Sequence, residues 1–107
     1  MTAAPRRADV WLADLDKMRP VIVLTRNPMG RYLNAVLVAT VTSTVRDVST
    51  EVLVGPADGV RVESVVNLDN TQLIARTRLL RRVGQARPET MAALCRALAN
   101  AVDCRQD

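Results

Sequence analysis

Residues 9–25 read DVWLADLDKMRPVIVLT and decide the fold, because two short apolar stretches follow each other closely here. The first, Asp9–Asp14, alternates imperfectly between apolar and polar residues and predicts a strand. The second, Pro20–Thr25, is a continuous apolar run and predicts a buried strand. The connection Leu15–Met18 has the length of a hairpin loop. The chain is therefore expected to begin with an antiparallel pair of strands.

Similar short strands are predicted downstream of this pair. They cover Ala35–Val41, Thr50–Val54, Glu63–Leu68 and Leu79–Val83. Turn signals separate them, such as the Gly-Pro-Ala-Asp-Gly stretch at residues 55–59. Short strands at this cadence are typical of an antiparallel barrel or sandwich.

The end of the chain changes from strand-like to helical spacing. Pro88 suits a first helical position, and Glu89 suits the positive end of the helix dipole. Arg87 is a poor N-cap, so the start of the helix is expected to fray. We predict one amphipathic helix over Pro88–Val102, whose apolar side is formed by Met91, Leu94, Cys95, Leu98 and Val102. The whole chain, 1–107, is expected to be one domain of the β-rich α+β class, with a flexible segment at 1–7.

The composition excludes several classes of protein. The apolar runs are too short for a membrane span, and no signal peptide follows the basic N-terminus, so a cytoplasmic location is expected. Cys95 and Cys104 lack metal-ligand spacing, and the chain has no His, so neither a metal nor another cofactor is expected. A packed thiol on the helix and a second one in the tail are predicted.

The positive charge is carried almost entirely by arginine. The net charge is +4, and Lys17 is the only lysine. Arginine binds phosphate through a planar fork of donors, although a GC-rich genome has the same effect on composition. A dense cluster favours a polyanion or an acidic protein as partner. Its members are Arg76, Arg78, Arg81, Arg82 and Arg87.

The residues that are present limit the possible chemistry. The usual acid–base residue, His, is missing, and no glycine-rich loop precedes a helix to hold a nucleotide. A reaction must therefore use Arg, Asp or Glu, Ser or Thr, and the backbone. Cleavage of RNA fits this set, because RNA supplies its own nucleophile, the 2′-OH. The protein then has to position the phosphodiester and stabilise charge on it.

The ordered set of motifs resembles the MazF/PemK toxins over nearly the whole chain. These motifs are residues 9–15 (DVWLADL), 19–25 (RPVIVLT), 38–43 (VATVTS), 55–59 (GPADG) and 64–70 (SVVNLDN), followed by the Pro-Glu start of the last helix. The resemblance implies an SH3-like antiparallel barrel with a C-terminal helix. It also implies a sequence-specific endoribonuclease of a type II toxin–antitoxin system. Such an enzyme cuts single-stranded mRNA, tRNA or rRNA and leaves a 2′,3′-cyclic phosphate.

The resemblance also implies which residues act. Arg19 matches the catalytic arginine of the family, and Thr42 matches the threonine of its Thr-Ser element. A guanidinium resists deprotonation, so we interpret Arg19 as an electrostatic clamp on the phosphorane rather than as a base. Thr42 would hydrogen-bond a phosphate oxygen. Asp69 aligns with an acidic residue proposed as a proton carrier in the PemK branch and is the candidate base.

Polar residues around the groove are the candidate readers of RNA. We expect base contacts from Ser43, Asn67, Asn70 and Gln72. Trp11 is expected to be packed in the core rather than to stack on a base. Arg78, Arg81 and Arg82 are the candidate backbone contacts, although the arginine cluster to which they belong fits an acidic antitoxin segment equally well.

Three departures from the family pattern concern the site. The loop between the first two strands has shrunk to Asp16-Lys17-Met18, so its acidic or histidine helper is expected to be missing. Asn67 replaces an arginine of the PemK branch, and Ala8 replaces a common glycine. These changes put the proton-transfer partners in question while retaining Arg19 and Thr42.

The resemblance further implies a homodimer and a MazE-like antitoxin with a disordered tail in the RNA groove. Two other functions stay open for this chain. One is a non-enzymatic gyrase poison resembling CcdB, although the C-terminal residues 103–107 lack its target-binding motif. The other is an RNA-binding barrel whose catalytic set has decayed. An unrelated basic β-barrel module fits the motif order less well.

Overall fold

The computed structural model describes residues 4–103, and its six strands form one antiparallel sheet. The sheet order is β4-β5-β3-β2-β1-β6, and a single α-helix follows the last strand. The predicted α+β class with a barrel-like antiparallel sheet is therefore confirmed, although the described edge strands β4 and β6 do not pair to close it. The elements are β1 (Asp9–Asp14), β2 (Met18–Val23), β3 (Ala35–Thr42), β4 (Glu51–Val54), β5 (Ser64–Ala75), β6 (Leu79–Gln85) and α1 (Pro88–Ala101).

Each face of the sheet has its own buried core, because successive side chains of a strand point to opposite faces. Val10 lies opposite Ile22 in the register of β1 and β2, and both belong to the helix-side core. Trp11 lies opposite Val21, and both belong to the second core. Trp11 is packed as predicted, with only 3% of its surface exposed.

Helix α1 covers the helix-side core through a narrower stripe than the sequence predicts. Met91, Leu94 and Ala97 are buried against the sheet. Cys95 and Val102 are exposed, so the prediction of a packed helical thiol is wrong. Cys95 lies beyond the edge of the buried stripe, where Nη2 of Arg7 approaches its Sγ at 3.2 Å. The second cysteine, Cys104, lies outside the described residues.

Strand β5 is longer than the predicted Glu63–Leu68, because it continues through a polar stretch to Ala75. The register with β3 shifts there: Val66 pairs with Val41, whereas Thr71 pairs with Ala39. The β5 residues between them bulge out of the ladder, which is how a strand re-aims its side chains. The polar stretch looks like a turn in the sequence, but it is an irregular strand.

Residues 4–7, part of the segment predicted to be flexible, lie against the sheet. Pro5 is buried, and the backbone N–H of Arg7 donates to Oδ1 of Asn27 at 2.8 Å. The Arg7 side chain also donates to the carbonyl of Leu24 at 2.6 Å. Flexibility of the segment stays a prediction.

Asp58 is a fully buried carboxylate that organises the start of α1. It accepts hydrogen bonds from the backbone N–H of Arg87 at 3.0 Å and from the Thr90 hydroxyl at 2.7 Å. Its Oδ1 also lies 3.1 Å from Nε of Arg87. The Arg87 side chain makes no capping hydrogen bond. The acceptor at the start of the helix is instead the Asp58 carboxylate, which lies in the loop between β4 and β5. The expectation of a frayed start overlooked this contact.

Burial would raise the pKa of Asp58, but hydrogen bonds from the Arg87 side chain and backbone and from Thr90 outweigh it and hold the pKa below its usual value. A lowered pKa stabilises the fold above the unfolded-state pKa of ~3.9, and this contribution is lost as the pH falls through the folded-state pKa. We expect Asp58→Asn to lower the free energy of unfolding at pH 7 by about 2 to 4 kcal/mol. Urea denaturation between pH 7 and pH 3 measures both effects.

The control is Asp14→Asn, because Asp14 is exposed and its side chain accepts no hydrogen bond among the described residues. The control variant is expected to match the wild-type protein. An Asp58→Asn variant as stable as Asp14→Asn at pH 7 would contradict the role of Asp58 as a cap.

Candidate active site

A groove of about 500 Å³ lies where β2 begins, β3 ends and β5 bulges. Its lining is almost wholly polar, and it contains two cations, Arg19 and Arg46, and one carboxylate, Asp16. The remaining lining residues are Leu15, Thr40, Thr42, Thr44, Asn67, Asn70 and Gln72. Five of the predicted site residues thus meet here: Arg19, Thr42, Asn67, Asn70 and Gln72.

The register of β2 and β3 explains why Arg19 and Thr42 meet. Val21 pairs with Thr40, so extending the same register by two residues brings Arg19 opposite Thr42. Residues two apart on a strand share a face, so both side chains stand on the face of the second core. The structure therefore brings together two residues that are 23 positions apart in the sequence.

Asp16 holds the Arg19 side chain through a two-pronged ion pair. Nε of Arg19 lies 2.9 Å from Oδ1 of Asp16, and Nη2 lies 3.1 Å from Oδ2. The hydrogen bond from Arg19 lowers the pKa of Asp16 to about 2 and, in return, raises the pKa of Arg19. Asp16 lies within the shortened loop and pairs with Arg19, whereas the loss of a proton-transfer helper from this loop stays a prediction.

Arg19 keeps free donors despite this ion pair. A guanidinium carries five N–H donors, and Asp16 engages one at Nε and one at Nη2. The side chain is 28% exposed, so the remaining donors are accessible from the groove. The raised pKa keeps the group positively charged throughout the neutral range.

The Thr42 hydroxyl is also available to a ligand. Its Oγ1 accepts a hydrogen bond from the backbone N–H of Thr44 at 3.2 Å. Because the oxygen is the acceptor there, the hydroxyl proton is free to be donated. Next to it, Nδ2 of Asn70 donates to Oγ1 of Thr40 at 3.0 Å, which fixes the orientation of the Asn70 amide.

Glu51 orders the loop that forms one wall of the groove. Its carboxylate accepts backbone N–H groups from Arg46 at 3.0 and 3.1 Å and from Asp47 at 2.7 Å. Asp47 has a positive φ of 57°, which the carboxylate helps to hold. Thr44 and Arg46, which line the groove, belong to this loop.

Other predicted site residues lie outside the groove lining. Asp69 accepts a hydrogen bond from the Thr50 hydroxyl at 2.6 Å, and Ser43 is exposed beyond the end of β3. Arg78 donates to the carbonyl of Asp14 at 2.9 Å. Arg82 is paired with the buried Asp9 at 3.0 Å, and Arg81 lies exposed on β6.

The arginine cluster is thus partly structural. Arg82 and Arg87 neutralise buried carboxylates, and the Arg76 side chain donates to the carbonyl of Gly30 at 2.8 Å. A dense arginine cluster in the sequence therefore does not form a basic patch whose charges are all free in the fold.

Comparison with known proteins places this geometry in a family. The model described as "PemK-like, MazF-like toxin of type II toxin-antitoxin system" matches residues 6–102. The chain belongs to this family.

Individual members of the PemK/MazF family are similar over nearly the full length. "Probable endoribonuclease MazF5" of Mycobacterium tuberculosis is 38% identical over 107 residues, covering 97% of this chain and 98% of that protein. The solved "Mycobacterium tuberculosis toxin MazF-mt6" has a TM-score of 0.87 at 41% identity and covers 92% of this chain and 99% of its own. A mycobacterial "Endoribonuclease in complex with its cognate antitoxin" has a TM-score of 0.89 at 30% identity, with coverages of 97% and 100%.

Sequence reasoning missed several residues of this MazF-like site. Thr40 and Thr44 lie two residues before and two residues after Thr42. Because residues two apart on a strand share a face, this spacing could have pointed to both. Arg46 lies in an irregular loop and Glu51 directly follows that loop, so no periodic pattern in the sequence points to either residue. Between residues 4 and 103, no three His, Cys, Asp or Glu side chains cluster as a metal site, and no helix is long and apolar enough to cross a membrane.

Proposed function

We propose that this MazF-type endoribonuclease cuts single-stranded RNA at short specific sequences in the groove around Arg19, without a metal ion. One observation carries the proposal: Arg19 and Thr42 direct free donors into the same groove while Asp16 holds the guanidinium in place. Preorganised donors stabilise charge that develops during a reaction better than mobile ones do.

The reaction proceeds by attack of the RNA 2′-oxygen on the adjacent phosphorus. The new O–P bond forms as the bond to the 5′-oxygen breaks, which leaves a 2′,3′-cyclic phosphate and a 5′-hydroxyl. The proton of the 2′-OH passes to a base, and the departing 5′-oxygen takes up a proton from water. Arg19 stabilises the extra negative charge on the phosphorane, and Thr42 donates to a phosphate oxygen and so fixes the in-line geometry.

Asp16 is a positioning residue in this proposal, and Asp69 stays the candidate base. With a pKa of about 2, Asp16 has little tendency to take up a proton at neutral pH, but both of its oxygens engage the Arg19 fork. Asp69 lies next to Asn70, and its Oδ1 accepts no hydrogen bond among the described residues. The role of Asp69 as proton acceptor stays a prediction, since Asp69 does not line the groove.

Base recognition is assigned to the amides at the β5 bulge. Asn67, Asn70 and Gln72 line the groove beside the Arg19–Thr42 pair, and amide side chains both donate to and accept from base edges. Arg46 adds a second positive charge for a neighbouring phosphate. Ser43, beyond the end of β3, is assigned a base contact at the rim.

The toxin is further inferred to act as a homodimer in the cytoplasm and to be silenced by a cognate antitoxin. A solved mycobacterial relative is described as being in complex with its cognate antitoxin, which supports the last inference. A disordered antitoxin tail in the RNA groove would gain affinity by covering a large surface.

Incubation of the purified toxin with total RNA in excess EDTA tests the proposal. We expect site-specific cuts that end in cyclic phosphate, because none of the proposed steps uses a metal ion. Thr42→Ala is expected to cut at the same sites more slowly, since it removes one donor. Ser49→Ala, which removes an exposed hydroxyl outside the groove lining, is the control and is expected to keep the wild-type rate.

Two outcomes would refute the proposal. Intact RNA together with inhibition of gyrase would identify a CcdB-like poison. Intact RNA with retained RNA binding would identify a barrel whose catalytic set has decayed.

A further inference from the structure

A second cavity, of about 960 Å³, lies away from the cleavage groove and shares no lining residue with it. It is framed by the N-terminal segment, by the loop between β2 and β3, and by the short turn between β5 and β6. The walls include the prolines Pro5 and Pro28, and the floor includes Trp11 and Leu79. The cavity thus combines an apolar base with walls from three separate parts of the chain.

Three arginines line this cavity: Arg6, Arg31 and Arg76. None of the described lining residues is acidic. Arg6 and Arg31 are exposed, and no carboxylate lies within ion-pair distance of any of the three in residues 4–103. Within residues 4–103, no carboxylate therefore neutralises the positive charge of the cavity.

Two of these arginines contact neutral groups rather than carboxylates. Nη1 of Arg76 donates to the neutral carbonyl of Gly30, and the Arg31 guanidinium lies 6.0 Å from the centre of the Tyr32 ring. Asp9, which bonds to the Arg6 backbone, is buried, and it also accepts hydrogen bonds from Trp11 and Arg82. The Asp9 carboxylate is thus engaged by these partners rather than by the side chains of the cavity arginines.

Neutral donors complete the set. Oδ1 of Asn27 accepts the backbone N–H of Arg7, so the amide Nδ2 is left as a donor. Thr77 adds an exposed hydroxyl. Arginine forks match phosphate oxygens, while the neutral donors and the apolar base suit a nucleobase and a ribose. A polyanionic peptide would use the charges but has no need of the apolar base.

We propose that this cavity binds a phosphate-bearing segment of the single-stranded RNA substrate outside the cleavage groove. The inference rests on the proposed ribonuclease function. The register of the sheet supports the proposal, because Trp11 and Ala13 share a face of β1 and Ala13 pairs with Arg19. The cavity and the cleavage groove therefore open on the same side of β1 and β2.

The test compares two double variants with the same loss of charge. Arg6→Gln/Arg31→Gln removes two exposed arginines of the cavity, and Arg61→Gln/Arg96→Gln removes two exposed arginines that line neither cavity nor groove. Binding of single-stranded polyuridine is measured against salt concentration. Each lost phosphate contact lowers the salt slope by about 0.7, so the cavity variant is expected to lose about 1.4 and to bind about tenfold more weakly.

Cleavage of a minimal RNA that spans only the cut sequence is the second readout. The cavity variant is expected to cut it at the wild-type rate, because Arg19 and Thr42 are untouched. Equal salt slopes for the two double variants would overturn the proposal. So would a cavity variant that keeps its RNA affinity but loses affinity for polyglutamate, since the cavity would then receive protein. If the wild-type protein binds RNA but does not cleave it, the ribonuclease function is refuted instead.

Discussion

Replacement of Arg19 by alanine is expected to lower the single-turnover rate of RNA cleavage by about 10²- to 10³-fold, the range seen when one preorganised donor of an oxyanion site is removed. The guanidinium lies in the groove and is paired with both oxygens of Asp16. Its loss removes stabilisation that the transition state needs more than the ground state does. The effect is therefore expected in kcat rather than in KM.

Two variants serve as controls for the Arg19 experiment. Lys17→Ala removes a neighbouring positive charge that does not line the groove, and its rate is expected to equal that of the wild-type toxin. Arg19→Lys keeps the charge but loses the fork, so its rate should lie between those of the wild type and Arg19→Ala. Binding of RNA with a 2′-deoxy group at the cut site shows whether the variants still bind. An Arg19→Ala variant with the rate of Lys17→Ala would rule out the clamp.

Replacement of Gly84 by alanine is expected to lower the free energy of unfolding by about 2 to 3 kcal/mol, because two backbones meet there. A Cβ on Gly84 would lie 2.5 Å from the Cα of Gly59, which is closer than such carbons approach in proteins. Gly59 itself has a positive φ of 78°, which favours glycine. This contact presses the loop that carries Asp58 against β6 and brings Asp58 to the start of α1.

Gly55→Ala is the matched control, because it lies on the same loop and a Cβ there would meet no atom closer than 3.7 Å. Its stability is expected to stay within about 1 kcal/mol of wild type. Thermal denaturation should place Gly84→Ala about 10 °C below this control. Equal melting temperatures for the two variants would show that the close approach of Gly59 and Gly84 is not needed for stability.

The regular elements could be predicted from the sequence because their signals are local. The apolar periods at Asp9–Asp14 and Pro88–Val102 led to strand β1 and helix α1 within one residue at each end. The end of β5 was not predictable in this way, because its polar residues are set by the bulge against β3. That irregularity depends on pairing with another strand, which no short window of sequence contains.

The candidate site likewise has a part that could be predicted from the sequence and a part that could not. Arg19 and Thr42 were named through the family resemblance, and the register of β2 and β3 accounts for their meeting. Asp16 was not named as a site residue, although its separation of three positions from Arg19 allows the ion pair that the structure shows. Asp58 escaped notice because its partners, Arg87 and Thr90, are about thirty residues away in the chain.

The contact between Glu51 and the loop that carries Arg46 bears on the speed of RNA recognition. A loop that must fold around its ligand loses conformational entropy at the moment of binding, at about 1 to 2 kcal/mol for each residue that becomes fixed. Here three hydrogen bonds from Arg46 and Asp47 to one carboxylate fix the loop before RNA arrives. If RNA binds here as proposed, its encounter needs no slow rearrangement of this wall. We then expect association to be governed by diffusion and charge, and discrimination between sequences to lie in how fast the wrong RNA leaves.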